Sequence, residues 1–122
     1  MNLTKVASTI VISNEKKTNF LVDGDKPYHF LSVDISNDMT ALATTLAYYR
    51  EQIGIDVECL RLEELSITLD SEKQTLFVFS IHDFEDKVVE KCNEFESLSF
   101  VDVSELHHLF ETVEMDTAPF FE

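Results

Sequence analysis

The sequence predicts an α/β (α+β) fold with a mixed β-sheet between helices, on three observations. Several extended segments are rich in Val, Ile, Thr and Phe. One amphipathic helix is set between the third and fourth of these segments. The composition, 44% hydrophobic with ten Phe in 122 residues, is sufficient for a packed core. We therefore expect one domain over residues 1–122.

The strands are predicted where β-branched and aromatic residues stand between turn-forming runs. These segments are Lys5–Ser13, Asn19–Val22, Tyr28–Val33, Val57–Thr68 and Thr75–Ile81. The polar run Asn14–Lys17 between the first two predicts a β-hairpin. The segment "TLFVFSI" at Thr75–Ile81 is the most apolar of the five, which is typical of a strand buried on both faces.

The helix is predicted over Met39–Ile53. Its apolar residues recur at spacings of three and four and form one stripe, made of Met39, Leu42, Leu46, Tyr49 and Ile53. Ser36, Asn37 or Asp38 is expected to supply the N-cap oxygen. Gly54 stands where a left-handed C-cap residue is required, and the apolar Ile55 follows it.

The end of this helix resembles the Nudix box, the motif of the Nudix hydrolases, G-x5-E-x7-R-E-U-x-E-E-x-G-U with U aliphatic. The match is "REQIGI", Arg50–Ile55, with the final glycine on Gly54. Glu51 then takes the first place of the Glu-Glu pair, and Gln52 takes the second. The remaining box positions carry other residue types: Ala47 and Tyr48 for Arg-Glu, Met39 for the upstream Glu and Val33 for the first Gly.

The resemblance implies a Nudix-like α/β/α sandwich and a site on this helix. Nudix enzymes hydrolyse nucleoside diphosphates linked to another moiety, with Mg²⁺ ions that polarise the phosphates and activate water. Carboxylates three and four residues apart on one helix face collect the metal. Here that face carries Tyr48, Glu51 and Gln52. Glu51 is the candidate metal ligand, and Tyr48 and Gln52 are candidates for ligand binding.

The C-terminal segment Glu94–Phe110, "EFESLSFVDVSELHHLF", also resembles its counterpart in the family, an acidic loop followed by an aromatic strand and a short helix. Ser104 is the expected N-cap of that helix. Its inward face is predicted to consist of Leu106, Leu109, Phe110 and Val113. Glu94 and Glu96 lie where some family members place a further acid, so they join Glu51 as candidate catalytic residues; a loop of solvated acids is the alternative.

Charge and hydropathy restrict the partners. The net charge of −15 disfavours binding to the phosphate backbone of nucleic acids. No apolar run approaches the roughly 20 residues of a membrane helix, and no signal peptide is recognised, so a cytoplasmic location without membrane contact is expected. In that reducing compartment Cys59 and Cys92 are expected to be free thiols, with Cys59 in the core.

Other polar groups favour structural interpretations over a metal site. Asp23 and Asp25 flank Gly24 in a predicted turn, and the adjacent His107 and His108 point about 100° apart on a helix, so they do not chelate one ion together. The terminal "APFFE", residues 118–122, ends in two aromatic residues that predict docking onto the domain or a second subunit.

Three functional hypotheses follow. The preferred one is a Nudix-like domain with a degraded pyrophosphohydrolase centre, which acts as a non-catalytic binding or interaction protein for a nucleotide-like small molecule; a homodimer is compatible with it. The alternative is an active Nudix hydrolase, in which Glu51 joins acids of the Glu94–Glu96 loop to hold Mg²⁺. The third is an unrelated acidic α+β protein whose Gly-Ile helix end matches by chance.

Overall fold

The structure is a computed structural model and describes residues 5–14, 16–70 and 72–114. The described strands are β1 Lys5–Ser13, β2 Thr18–Asp23, β3 Leu31–Asp34, β4 Leu60–Thr68, β5 Gln74–Ile81, β6 Leu98–Asp102 and β7 Val113–Glu114. The α-helices are α1 Ala41–Tyr48, α2 Glu85–Asn93 and α3 His107–Phe110. A π-helical turn, Tyr49–Ile53, continues α1, and 3₁₀ turns cover Val57–Cys59 and Val103–Glu105.

The strands form one mixed sheet in the order β6-β2-β1-β5-β4-β7, and β3 pairs with β1 outside this path. The central strand β1 runs parallel to β5. Its C-terminal part pairs antiparallel with β2, and its N-terminal part pairs antiparallel with β3. All other pairings are antiparallel. The predicted mixed sheet is therefore confirmed, including the β1–β2 hairpin and the buried strand over Thr75–Ile81.

Two hydrophobic cores lie on opposite faces of this sheet, because side chains alternate along each strand. Val6 of β1 belongs to the first core, and its neighbour Ala7 belongs to the second. Residues of α1, the π-turn and α2 pack into the first core, whereas Leu109 of α3 and the adjacent Leu106 pack into the second. Helices thus cover both faces, and the predicted fold class, a mixed sheet between helices, is confirmed.

The predicted helix exists, although its first residues and its last turn differ from expectation. Thr40 is the N-cap: its Oγ1 accepts the Ala43 N–H at 3.0 Å. The expected cap at Ser36, Asn37 or Asp38 is therefore wrong, and Met39 lies before the helix and is 45% exposed. The other four residues of the predicted stripe pack in the first core, namely Leu42, Leu46, Tyr49 and Ile53.

The helix ends as predicted at a left-handed glycine. Gly54 has φ +91° and ψ +27°, and the N–H groups of Gly54 and Ile55 both donate to the Tyr49 carbonyl at 2.9 Å. The bond from Gly54 spans five residues, which makes the last turn π-helical. This turn was not predicted, because the spacing of apolar residues does not distinguish a π-helical turn from a regular α-helical turn.

Three further expectations need correction. Helix α2 follows Asp83 where no element was predicted. The third strand begins at Leu31 rather than Tyr28, with His29 making only an isolated bridge to Asp23. Ser104 caps no helix; instead the Asp102 carboxylate accepts the Ser104 N–H at 2.8 Å and opens the 3₁₀ turn.

The first residues of another predicted strand also differ, because Val57–Cys59 forms a 3₁₀ turn before β4. No helix in the described ranges is long and apolar enough to cross a membrane. The predicted docking of "APFFE" concerns residues 118–122, which lie outside the described residues.

Candidate functional site

A groove lies between α1 with its π-turn and the end of β3, and encloses about 220 Å³. We call it the helix groove. Its lining residues are Val33, Asp34, Ser36, Met39, Thr44, Ala47, Tyr48, Glu51 and Gln52. Six of these nine residues occupy defined positions of the Nudix box, which expects Gly, Glu, Arg, Glu, Glu and Glu there. In that order they are Val33, Met39, Ala47, Tyr48, Glu51 and Gln52. The residues singled out on the helix therefore surround one concave surface.

Strand pairing and one loop contact hold the two walls of the groove together. Val33 and Asp34 are fixed by the pairing of β3 with β1, in which Val33 lies opposite Val6. The Ser36 N–H donates to Thr44 Oγ1 at 3.2 Å, which ties the loop after β3 to α1. Asp34 was not singled out in the sequence. Its position at the end of the strand that precedes the helix in sequence was the available signal.

Two adjacent tyrosines of the helix have different surroundings, one in the core and one in the groove. Tyr49 is fully buried, its hydroxyl shares a 2.7 Å hydrogen bond with Ser8, and its ring meets Phe79 edge-on at 5.9 Å. Burial raises the pKa of the Tyr49 hydroxyl above its usual range. Tyr48 is half-buried against the first core and lines the groove. Tyr48 is therefore the ring available to a ligand.

Glu51 and Gln52 form the polar wall of the groove, and both are exposed. Glu51 accepts a hydrogen bond from Arg50 at 3.0 Å, and the two side chains are 60% and 56% exposed. An ion pair at this exposure contributes roughly 0–1 kcal/mol and is screened by salt. The Glu51 carboxylate is therefore solvated and only weakly held in place.

The donor set of the groove does not fit the Mg²⁺ site that the resemblance implies. Mg²⁺ prefers six oxygen ligands in near-octahedral geometry. The groove offers two carboxylates, Asp34 and Glu51, and one of them is shared with Arg50. Across residues 5–14, 16–70 and 72–114, no group of three or more His, Cys, Asp or Glu side chains is arranged to hold a metal ion.

The other candidate catalytic acids lie elsewhere on the surface. Glu94 is the C-cap residue of α2, and Glu96 is in the short connection from α2 to β6. Both are exposed, and neither lines the helix groove. Their participation in a cluster with Glu51 remains a prediction.

Several other polar groups make local contacts. His29 Nδ1 lies 2.9 Å from the Asp70 carboxylate, and its backbone bridges Asp23. His107 and His108 are largely exposed and lie 3.5 Å and 3.4 Å from the Glu111 carboxylate. These contacts lie in a loop and in the last helix, outside the helix groove.

Comparison with known proteins identifies a solved structure with a similar fold. No family model matches the sequence, and no curated protein matches it significantly. The structure is similar to the crystal structure of C. elegans Ap4A hydrolase, with a TM-score of 0.59, 10% sequence identity, and coverage of 91% of this chain and 88% of that chain. The fold is Nudix-like. An identity of 10% supports the fold alone.

Proposed function

We propose that this chain is a non-catalytic, Nudix-like binding protein whose helix groove takes a nucleotide-like small molecule. The observation that carries the proposal is the composition of the groove face of the helix. Tyr48 and Gln52 occupy two of the positions at which the family helix places carboxylates, next to Glu51. A phenol ring and an amide suit recognition of a ligand better than they suit collection of a metal.

The groove suits the nucleoside part of such a ligand better than its phosphates. A base can stack on the Tyr48 ring, and the Gln52 amide offers both donors and an acceptor to its edge. Val33 and Met39 provide apolar surface beside them. Asp34 and Glu51 make the lining acidic and therefore repel phosphate groups. We expect the phosphates of a bound nucleotide to extend into solvent.

Hydrolysis at ordinary enzyme rates is not expected from this groove. Metal-assisted phosphoryl chemistry needs several groups fixed together, and their effects on rate are strongly non-additive. Ala47 and Tyr48 replace the Arg-Glu pair of the box, and Val33 replaces its first glycine. Restoring one carboxylate would still leave the other groups absent. We therefore expect that Gln52→Glu alone produces no measurable hydrolysis.

Two assays test the proposal on the full chain. The first separates and quantifies the products formed from nucleoside triphosphates, ADP-ribose and dinucleoside polyphosphates by chromatography, in the presence of Mg²⁺ or Mn²⁺. We expect no turnover near the ordinary range of about 1 per second. The second follows amide chemical shifts by NMR during titration with adenosine and with ADP-ribose. We expect both to shift the amides of Tyr48 and Gln52, and adenosine to bind at least as tightly.

A matched pair of variants makes the binding assay specific. Tyr48→Ala removes the ring from the groove. Tyr28→Ala removes a similarly half-buried ring that packs against the second core and lines a different cavity. We expect roughly tenfold weaker adenosine binding for the first, since stacking on an aromatic side chain contributes about 1–3 kcal/mol per base. Equal binding by both variants would contradict the proposed ligand. Turnover that Glu51→Gln abolishes would instead support the active hydrolase.

A further inference from the structure

A second cavity lies where the end of the π-turn meets α2, and it encloses about 230 Å³. We call it the α2 pocket. Its lining residues are Gly54, Ile55, Asp56, Cys59, Phe84, Lys87, Val88 and Lys91. None of them lines the helix groove. The two cavities are therefore separate, although both adjoin the same helix end.

Two lysines line the α2 pocket of this strongly acidic chain. Lys87 and Lys91 are two of nine basic residues against a net charge of −15, and they lie four residues apart on one face of α2. Neither forms an ion pair with a carboxylate in the part of the chain that the structure describes. Asp56 also lines the pocket, and its carboxylate keeps its negative charge while it accepts the Glu58 N–H at 3.0 Å. The two ammonium groups are available to an anion.

An exposed aromatic ring stands next to these charges. Phe84 is 57% exposed and has φ +55°, a left-handed conformation that is rare for a bulky residue. Neither burial nor backbone preference accounts for phenylalanine at this position. The Lys87 Nζ lies 5.4 Å from the centroid of its ring. One ligand can therefore contact the ring and the ammonium group together.

The remaining lining is largely apolar. Ile55, Cys59 and Val88 are buried members of the first core and form the floor of the pocket. The Lys91 stem passes close to Gly54, with its Cδ 3.8 Å from the place of a Cβ. This arrangement holds the aliphatic part of the lysine against the helix end and leaves its ammonium group free to meet a ligand.

We propose that the α2 pocket binds a small aromatic anion. The ring of the ligand lies between Phe84 and the apolar floor, and its phosphate or carboxylate lies between Lys87 and Lys91. A volume of about 230 Å³ is below the range of about 300–1,000 Å³ that is typical of drug-sized ligands, so the ligand carries a single ring system. The proposal does not depend on what occupies the helix groove.

The test is an NMR titration of the full chain with phenyl phosphate, benzoate, inorganic phosphate and benzyl alcohol. We expect at least one of the two aromatic anions to shift the amides of Lys87, Val88 and Lys91 with a Kd on the order of 1 mM. Phenyl phosphate binding tighter than benzoate would identify phosphate as the anionic group, and the reverse would identify carboxylate. The ring alone and the phosphate alone should each bind about tenfold more weakly.

Paired variants decide between a site and a diffuse charge effect. We expect the double variant Lys87→Gln, Lys91→Gln to bind the preferred aromatic anion about tenfold more weakly, since each exposed charge contributes modestly. The matched control Lys16→Gln, Lys73→Gln removes two exposed lysines outside the pocket and should leave the Kd unchanged. Phe84→Asn should also weaken binding while the fold is maintained, because Asn tolerates a positive φ.

Three outcomes would overturn the proposal. The first is no binding of either aromatic anion at 10 mM, about ten times the expected Kd. The second is equal loss of affinity in the pocket variant and in the control variant. The third is amide shifts at Tyr48 and Gln52 in place of those along α2. The thermal midpoint of each variant is measured in parallel. An unchanged midpoint shows that a loss of binding does not reflect unfolding.

Discussion

The two faces of the helix over residues 41–53 satisfy different requirements. On the buried face, Tyr49 fills the first core, shares a hydrogen bond with Ser8 and contacts Phe79, and Gly54 ends the helix. On the groove face, Tyr48, Glu51 and Gln52 offer one carboxylate where the family box places three. The buried face fixes the position of the helix on the sheet, and the groove face determines what the helix can bind.

This difference explains how a Nudix-like fold can occur with 10% identity to C. elegans Ap4A hydrolase and without most acids of the box. Packing against a mixed sheet requires apolar residues of suitable volume and a left-handed residue at the helix end. These requirements leave the residues on the groove side unrestricted. Fold similarity in this chain therefore carries little information about its chemistry.

The largest expected effect separates the two tyrosines. Tyr49→Ala should lower the free energy of unfolding by about 3–5 kcal/mol, because it leaves a large cavity in the first core. Tyr48→Ala should cost about 1 kcal/mol, since its ring is only half-buried. Urea unfolding followed by circular dichroism measures both.

Tyr49→Phe is the control for the hydroxyl and should cost about 1–2 kcal/mol, because Ser8 loses its partner in a buried site. It also keeps the comparison measurable if Tyr49→Ala does not fold. Equal losses for Tyr48→Ala and Tyr49→Ala would show that the two faces do not differ in their contribution to stability.

A smaller effect is expected at the helix end. Gly54→Ala should cost about 1–2 kcal/mol, because φ +91° is unfavourable for a residue with a Cβ. The cost should come from the backbone alone, since the added Cβ would meet only Lys91 Cδ at 3.8 Å. Gly54→Asn should cost less, because Asn adopts left-handed conformations more readily. If the two variants lose equal stability in thermal unfolding, side-chain crowding rather than backbone conformation sets the cost.

The sequence predicted the elements whose signals are local. The apolar stripe through Leu42, Leu46 and Ile53 and the helix end at Gly54 depend on spacing and on one residue type, and the structure has both. Helix α2 was missed because it is short and follows a residue, Phe84, that is an unusual N-cap, although its acidic first turn is typical of a helix start. Tertiary packing of Val88 and Cys92 stabilises it, and this packing is not visible in a local pattern.

The cavities were predictable only in part for a similar reason. Tyr48, Glu51 and Gln52 were placed on one face by helical spacing, and that face does line the helix groove. Asp34 joins them through the pairing of β3 with β1, which is a non-local contact. The α2 pocket combines Gly54 with Lys87 and Lys91 across more than thirty residues of sequence. No local motif signals such a combination.

The smallest expected effect concerns Glu51. Glu51→Gln should change the free energy of unfolding by less than about 0.5 kcal/mol, because its ion pair with Arg50 is exposed to solvent on both sides. The same variant removes one of the two carboxylates from the helix groove. Its affinity for adenosine should stay within about threefold of that of the unsubstituted chain, because stacking on Tyr48 dominates the expected binding. Urea unfolding and the NMR titration measure the two quantities. Two results would mean that Glu51 is held in a defined site: a stability loss above about 1 kcal/mol, or tight Mg²⁺ binding that disappears in this variant. Either result would contradict the contrast between the buried face and the groove face.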